Sequence, residues 1–160
     1  MDVDIRLVTA EDNLSLAKMI RNVFLEHDAP QQGTVYSDPT TDKLFELFQA
    51  SKSILWVAEK DHEIVGCCGI YPTIGLDEKC VELVKFYISK EARGIGIGRE
   101  LMQKCISTAI EFNYTQMYLE SLPHFSKAIN IYEKQGFKKL EKPLCNTGHS
   151  SCDIWMMKEL

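Results

Sequence analysis

The sequence predicts an α/β layered domain built on a mixed central sheet of about seven strands flanked by about four helices. Three observations carry this reading. Short alternating or fully apolar runs recur along the chain, and stretches with helical spacing separate them. Turn residues fall at the joins rather than inside the runs. The chain has 160 residues, 45% hydrophobic and 26% charged, which suits one soluble globular domain spanning 1–160.

DIRLV (Asp4 to Val8), the first element, alternates and reads as a strand. Thr9 can cap a helix, acids fill the first turn, and that helix runs from about Asn13 to His27. Leu14, Leu16, Ala17, Ile20, Phe24 and Leu25 form its apolar stripe. Pro30, Gly33 and Pro39 then punctuate a long loop, a length that favours a functional role. TTDKLFELFQAS (Thr40 to Ser51) predicts a second helix that buries Leu44, Phe45, Leu47 and Phe48. SILWVAEK (Ser53 to Lys60) and EIVGCCGIYPTI (Glu63 to Ile74) are strands joined at Asp61-His62 in a tight hairpin. A third strand, Cys80 to Ile88, feeds a glycine-rich stretch and a helix from about Gly98 to Phe112. Thr115 to Ser121 is a strand, and His124 to Gln135 is a helix stopped by Gly136. The tail to Leu160 reads as a strand, a loop and a last strand.

Composition excludes several functions. The net charge of −5 and pI near 5.4 argue against a nucleic-acid binder, which needs a basic stripe. No run reaches the ~18 apolar residues of a membrane span. The N-terminus lacks the basic-then-apolar order of a secretory signal. A cytoplasmic setting is expected, in which the six cysteines stay reduced. They form no CxxC pair, and four of them sit in apolar runs like small core residues.

EARGIGIGRELM (Glu91 to Met102) is the most unusual stretch, with Gly94, Gly96 and Gly98 at alternate positions. A tight strand-to-helix connection would explain some of it. The dinucleotide fingerprint GxGxxG fails, because Arg99 stands where the last glycine belongs. A nucleotide P-loop fails too, because the stretch ends in GRE rather than GK[ST]. Anion binding remains. Glycines let backbone approach a ligand, the first helix amides are unpaired, and Arg93 and Arg99 add charge.

RGIGIG also matches Q/R-x-x-G-x-G/A, with Arg93, Gly96 and Gly98 in the defining positions. It resembles the coenzyme-A loop of the GNAT superfamily, the Gcn5-related N-acetyltransferases. IRLVTAED resembles that family's first strand and helix entry. AINIYEKQGF (Ala128 to Phe137) resembles its A-x-x-x-Y-x-x-x-G-F pattern. The blocks keep the family's order over nearly the whole chain.

The resemblance implies the GNAT fold and acetyl-CoA lying in a split between the strands at Cys80 to Ile88 and Gln116 to Ser121. The pyrophosphate would rest on amides from Gly94 through Ile95, Gly96, Ile97 and Gly98 to Arg99. The pantetheine arm would pair along Phe86, Tyr87 and Ile88 like an added strand. Glu82 matches the position of a general base in some members, which an amine of pKa near ~10 requires. Its structural alternative is an ion pair with Lys85. The N–H of Phe86 or Tyr87 would stabilise the oxyanion, and Tyr132 would protonate the leaving thiolate, if it does more than pack its helix on the sheet. One position departs from the family. Phe125 stands where many members carry a cofactor-contacting asparagine.

The tail loop Leu144 to Trp155 contains Cys145, His149 and Cys152. Three soft donors fall short of the four that structural zinc wants, so no metal is expected. A Cys–His nucleophile pair would fit the residue types, yet the family needs no covalent step. The loop reads either as polar surface or as a wall of the acceptor pocket, with His149 on the substrate and Tyr36 in the opposite wall. The leading expectation is an acetyl-CoA-dependent N-acetyltransferase of a small-molecule primary amine, with homodimer pairing through the last strands by analogy. A non-catalytic acyl-CoA-binding module and a protein-directed acetyltransferase stay open.

Overall fold

The computed structural model describes residues 2–160. Its elements in chain order are β1 (Asp4–Leu7), α1 (Asn13–Glu26), α2 (Leu44–Leu47), β2 (Ile54–Lys60), β3 (Glu63–Tyr71), β4 (Cys80–Ile88), α3 (Ile97–Glu111), β5 (Gln116–Ser121), α4 (Ser126–Lys134), β6 (Lys138–Leu140) and β7 (Ile154–Glu159). The seven strands form one sheet in the order β1-β2-β3-β4-β5-β7-β6. Every neighbouring pair is antiparallel except β4 and β5. The mixed sheet and the helix count are those the sequence predicts.

Two cores sandwich the sheet. On one side Leu16, Ile20 and Phe24 of α1 and Leu44 of α2 pack on Leu55, Val57 and Cys67. On the other, Leu101, Met102 and Cys105 of α3 and Ile129 and Tyr132 of α4 pack on Val81, Leu83, Met117 and Leu119. Val81 and Leu83 in the first half of β4, and Met117 and Leu119 of β5, serve the second core, so Glu82 and Glu120 between and beside them face the α1 side. The β2–β3 hairpin turns at Asp61 and His62, both left-handed at φ 51° and 68°. Two such residues match the right-handed twist of the flanking strands.

Local readings shift in four places. The helix expected over Thr40 to Ser51 is a 3-10 turn (Pro39–Asp42) and the single turn of α2, because Asp38 caps early and Lys43 leaves helical geometry at φ −137°. The α1 stripe is rotated: Leu14 and Leu25 are 83% and 55% exposed, while Met19 and Val23 are buried. β3 ends at Tyr71, because Pro72 follows and Thr73 turns the chain with a bond back to the Tyr71 carbonyl at 2.9 Å. α4 begins at Ser126, after a 3-10 turn over Pro123–Phe125.

Candidate active site

The parallel pairing of β4 with β5 stops early. Cys80, Val81 and Glu82 pair with Gln116, Met117 and Tyr118, and beyond Glu82 the two strands part. The gap opens a cavity of about 430 Å³, walled by α1, the start of α3, α4 and the two long loops. β4 also carries a bulge. Between the pairs Gly69–Val84 and Cys67–Tyr87, Lys85 and Phe86 together oppose Cys68 alone. Lys85 takes a left-handed φ of 57°, and its carbonyl accepts from Cys67 Sγ at 3.0 Å. The extra residue resets the alternation. Val81 and Leu83 reach the α3 side and so do Phe86 and Ile88, while Val84 and Tyr87 reach the α1 side.

At the cavity's far mouth, Gly94 and Gly96 have φ of 81° and 88°, and an added Cβ would meet nothing within 4 Å. Backbone geometry alone demands glycine there, and the space beside it is open. Gly98 differs: its Cβ would stand 3.1 Å from the Phe86 ring, so it lets α3 approach the sheet. α3 starts at Ile97, leaving its first amides without intrahelical acceptors. Arg99 is exposed and lines the cavity, whereas Ile95 is exposed and absent from the lining. Arg93 departs from the expectation that it adds charge to the loop. Its guanidinium donates to the Ile88 carbonyl at 2.9 Å and forms a two-pronged ion pair with Glu26 of α1, so its charge is already answered. Ser89 Oγ, just before this loop, is buried without a partner.

Glu82 lies where the strands part. It is 6% exposed and accepts a 2.5 Å hydrogen bond from Thr73 Oγ1. Burial raises its pKa to about 7, helped by the charge of Glu120 and opposed by the Thr73 bond and Lys85. The ion pair with Lys85 that would have made Glu82 merely structural does not form among the described residues. Glu120 lies on the same face of β5, held by Tyr118 at 2.7 Å and by Thr147.

Tyr132 is buried, lines the cavity, and packs between Phe86 and Phe137 at centroid distances of 5.7 and 5.8 Å. Burial drives its pKa far up, so the phenol holds its proton. Phe125 fills the asparagine's place with packing: its ring meets Phe24 at 5.2 Å and Tyr87 at 6.2 Å and closes one wall.

The two long loops meet over the α1 side. His149 Nε2 lies 3.0 Å from Asp38 Oδ2, Ser151 N donates to the Gly33 carbonyl at 3.1 Å, and Ser151 Oγ donates to the Gln32 carbonyl at 2.7 Å. His149 lines the cavity; Tyr36 does not, meeting Phe24 edge-on at 6.0 Å with Arg21 over its ring. Burial would raise the Asp38 pKa, but bonds from His149 and Thr40 and the charge of Lys85 hold it at about 2. Cys145, His149 and Cys152 gather into no metal-holding group among the described residues. Burial and the nearby carboxylates push the Cys152 thiol up to about 12, which leaves no thiolate for attack. Glu120 in the cavity wall, and Thr73 and Asp38, which bond Glu82 and His149, escaped sequence reading, and Lys85 entered it only as a possible partner of Glu82. Only Lys85 and Glu120 had a local signal, a charge inside an apolar strand.

Known proteins place this architecture. The sequence profile of the Acetyltransferase (GNAT) family matches residues 21–137. The N-acetyltransferase YjgM of Escherichia coli K12, itself described as uncharacterized, is 33% identical over 97% of this chain and 93% of its own. Human N-acetyltransferase 8B is 30% identical over 64% of this chain and 43% of its own. An acetyltransferase of the GNAT family from Staphylococcus aureus Mu50 superposes with a TM-score of 0.85 over 99% of both chains at 22% identity. The PaiA N-acetyltransferase of Thermoplasma acidophilum, solved in complex with coenzyme A, does so with 0.78 over 100% of both chains at 18% identity. With a matching profile over most of its length, a relative aligned almost end to end and the parted β4–β5 sheet, this chain belongs to the GNAT family of acetyltransferases.

Proposed function

We propose that the protein is an acetyl-CoA-dependent N-acetyltransferase of small-molecule primary amines, working by direct transfer. The observation that carries this reading is a single cavity with both halves of the required chemistry. It has an open glycine loop with free helix amides at one end and a buried carboxyl of pKa about 7 at the other. The loop residues fit the coenzyme: open space at Gly94 and Gly96, the unpaired first amides of α3 and the exposed Arg99 all suit a phosphate-bearing ligand. Arg93 acts differently, tying the loop to β4 and α1. Phe86, Tyr87 and Ile88 offer a strand edge that β5 has abandoned. Bound there, acetyl-CoA supplies an activated acyl thioester.

The chain's own groups then handle the protons. Glu82 takes one proton from the acceptor ammonium, freeing the nitrogen lone pair. The N–C bond forms at the acyl carbon as the C–S bond breaks, and a backbone N–H at Phe86 or Tyr87 steadies the carbonyl oxygen. Tyr132 gives its phenolic proton to the departing sulfur and regains one from the nitrogen, which keeps a single hydrogen in the amide. The proton on Glu82 leaves to water. A small acceptor is favoured because the bonded loops roof the α1 side, with His149 in the roof.

Calorimetric titration with acetyl-CoA tests this reading. Wild type should bind in the micromolar range. Gly96→Glu, with a strained backbone and a negative charge at the loop, and Arg99→Glu, with charge alone, should both lose binding while keeping their circular-dichroism spectrum. A folded wild type that binds no acetyl-CoA would refute it.

A further inference from the structure

Among the described residues three charged side chains are buried: Asp12, Glu82 and Lys85. Asp12 is matched by Arg6 at 2.8 Å. Glu82 accepts from Thr73. Lys85 is 7% exposed and lines the cavity, and its ammonium has neither ion pair nor hydrogen bond; only its backbone carbonyl is engaged. The side chain is buried while its charge faces the cavity with no protein anion against it, and buried charges in proteins are ordinarily paired.

The carboxylates within reach of its field do not supply the partner. Asp38 is occupied by His149 at 3.0 Å and by Thr40 through its N–H at 2.9 Å and its hydroxyl at 2.7 Å. Glu82 is engaged by Thr73, and Glu120 by Tyr118 and Thr147. The left-handed bulge holds Lys85 at its place in the wall, a backbone conformation that a lysine adopts only when its surroundings impose it. One cavity thus contains a cation lacking an anion beside two carboxyl groups that attract a cation.

We propose that Lys85 binds a carboxylate on the acceptor, so that the acceptor is an amino-carboxylate whose amine faces Glu82 and whose carboxylate rests on Lys85. This rests on the N-acetyltransferase reading above. The two residues lie three positions apart on β4, at most ~10 Å between Cα atoms, and both line the one cavity, a span that two side chains and one small zwitterion can fill. Burial lowers the Lys85 pKa while Asp38 and Glu82 support its charge, and an incoming carboxylate would restore that charge fully. Lys85 is a specificity residue in this scheme, and the proton transfers stay with Glu82 and Tyr132.

The experiment uses the whole protein loaded with coenzyme A. L-amino acids, ω-amino acids and dipeptides are each tested beside their carboxamides, by thermal shift and, with acetyl-CoA, by thiol release. At least one acid should raise the melting temperature and be acetylated, with its carboxamide down on the order of tenfold or more in kcat/KM. In Lys85→Met the discrimination between acid and carboxamide should collapse through KM for the acid, while the acetyl-CoA Kd holds. That variant should melt at or above wild type, because a largely buried side chain no longer carries an unpaired charge. Lys85→Asn, which tolerates the left-handed backbone, is the second variant should Lys85→Met fold poorly. Equal use of acids and carboxamides, preference for amines without a carboxylate, or binding of no panel member overturns the assignment and leaves the transferase reading standing. Absence of acetyl-CoA binding by the wild type, read in the same preparation by calorimetry, overturns both.

Discussion

A carboxyl group carried from water to the place where β4 and β5 part loses hydration that one hydroxyl only partly replaces. Glu82 therefore holds its proton to about pH 7, where an exposed glutamate would have lost it near 4.5. A base with a pKa near the working pH is well matched to taking a proton and giving it up again. The rising limb of kcat/KM should fall near pH 7, and Glu82→Gln should flatten it with a loss of roughly a hundredfold or more. Stability runs the other way. The folded pKa is raised, so the favourable term is complete below about pH 4.5 and vanishes as pH climbs through about 7. Above that pH the uncharged Glu82→Gln should be the more stable protein, by on the order of 2 kcal/mol, in denaturant titrations at pH 5 and pH 8. A variant that loses activity while gaining stability would mark Glu82 as a residue kept for chemistry.

The β4 strand, its bulge and the glycine loop behave as one device. The bulge switches β4 so that Phe86 points toward α3, and Gly98 is what lets the first turn of α3 settle on that ring. Arg93 fastens the loop from behind through the Ile88 carbonyl and Glu26, leaving the amides of α3 facing open space. Gly98→Val should overpack this contact and cost about 1–3 kcal/mol. Phe86→Leu alone should also destabilise, yet the double variant should recover part of the Gly98→Val loss. A double-mutant cycle by thermal unfolding reads the coupling, and simple additivity would show that the helix start rests on something other than this ring.

At the level of the molecule, β7 inserts between β5 and β6 and brings the loop ahead of it across the sheet to the loop after α1. His149 and Asp38, 111 residues apart in the chain, meet there and close the α1 side of the cavity, the side proposed to take the acceptor. His149→Ala should open this roof while leaving the coenzyme end untouched. Hydrogen exchange should quicken in residues 144–152 and 31–38, and the acceptor KM should rise several-fold with no change in acetyl-CoA affinity. Unchanged exchange in both segments would mean that the Ser151 contacts hold the roof alone.

Much of this arrangement is local and therefore visible in the chain. Strand alternation, helix spacing and the Asp61-His62 turn each depend on neighbours a few residues away, so the element order can be read directly. The glycine loop is legible for the same reason, since positive φ at Gly94 and Gly96 is a property of single residues. Glu82 and Tyr132 stand out only through resemblance to a family, because a lone glutamate in a strand and a tyrosine on a helix carry no signal of their own. The charge environment lies beyond any local pattern. That Arg93 is answered by Glu26, that Asp38 is taken by His149, and that Lys85 is left without a partner all depend on contacts between segments distant in sequence. Electrostatic energy is set by three-dimensional neighbours and by the removal of water, and only the folded sheet, with β4 and β5 parted beyond Glu82, brings those neighbours together and shuts the water out.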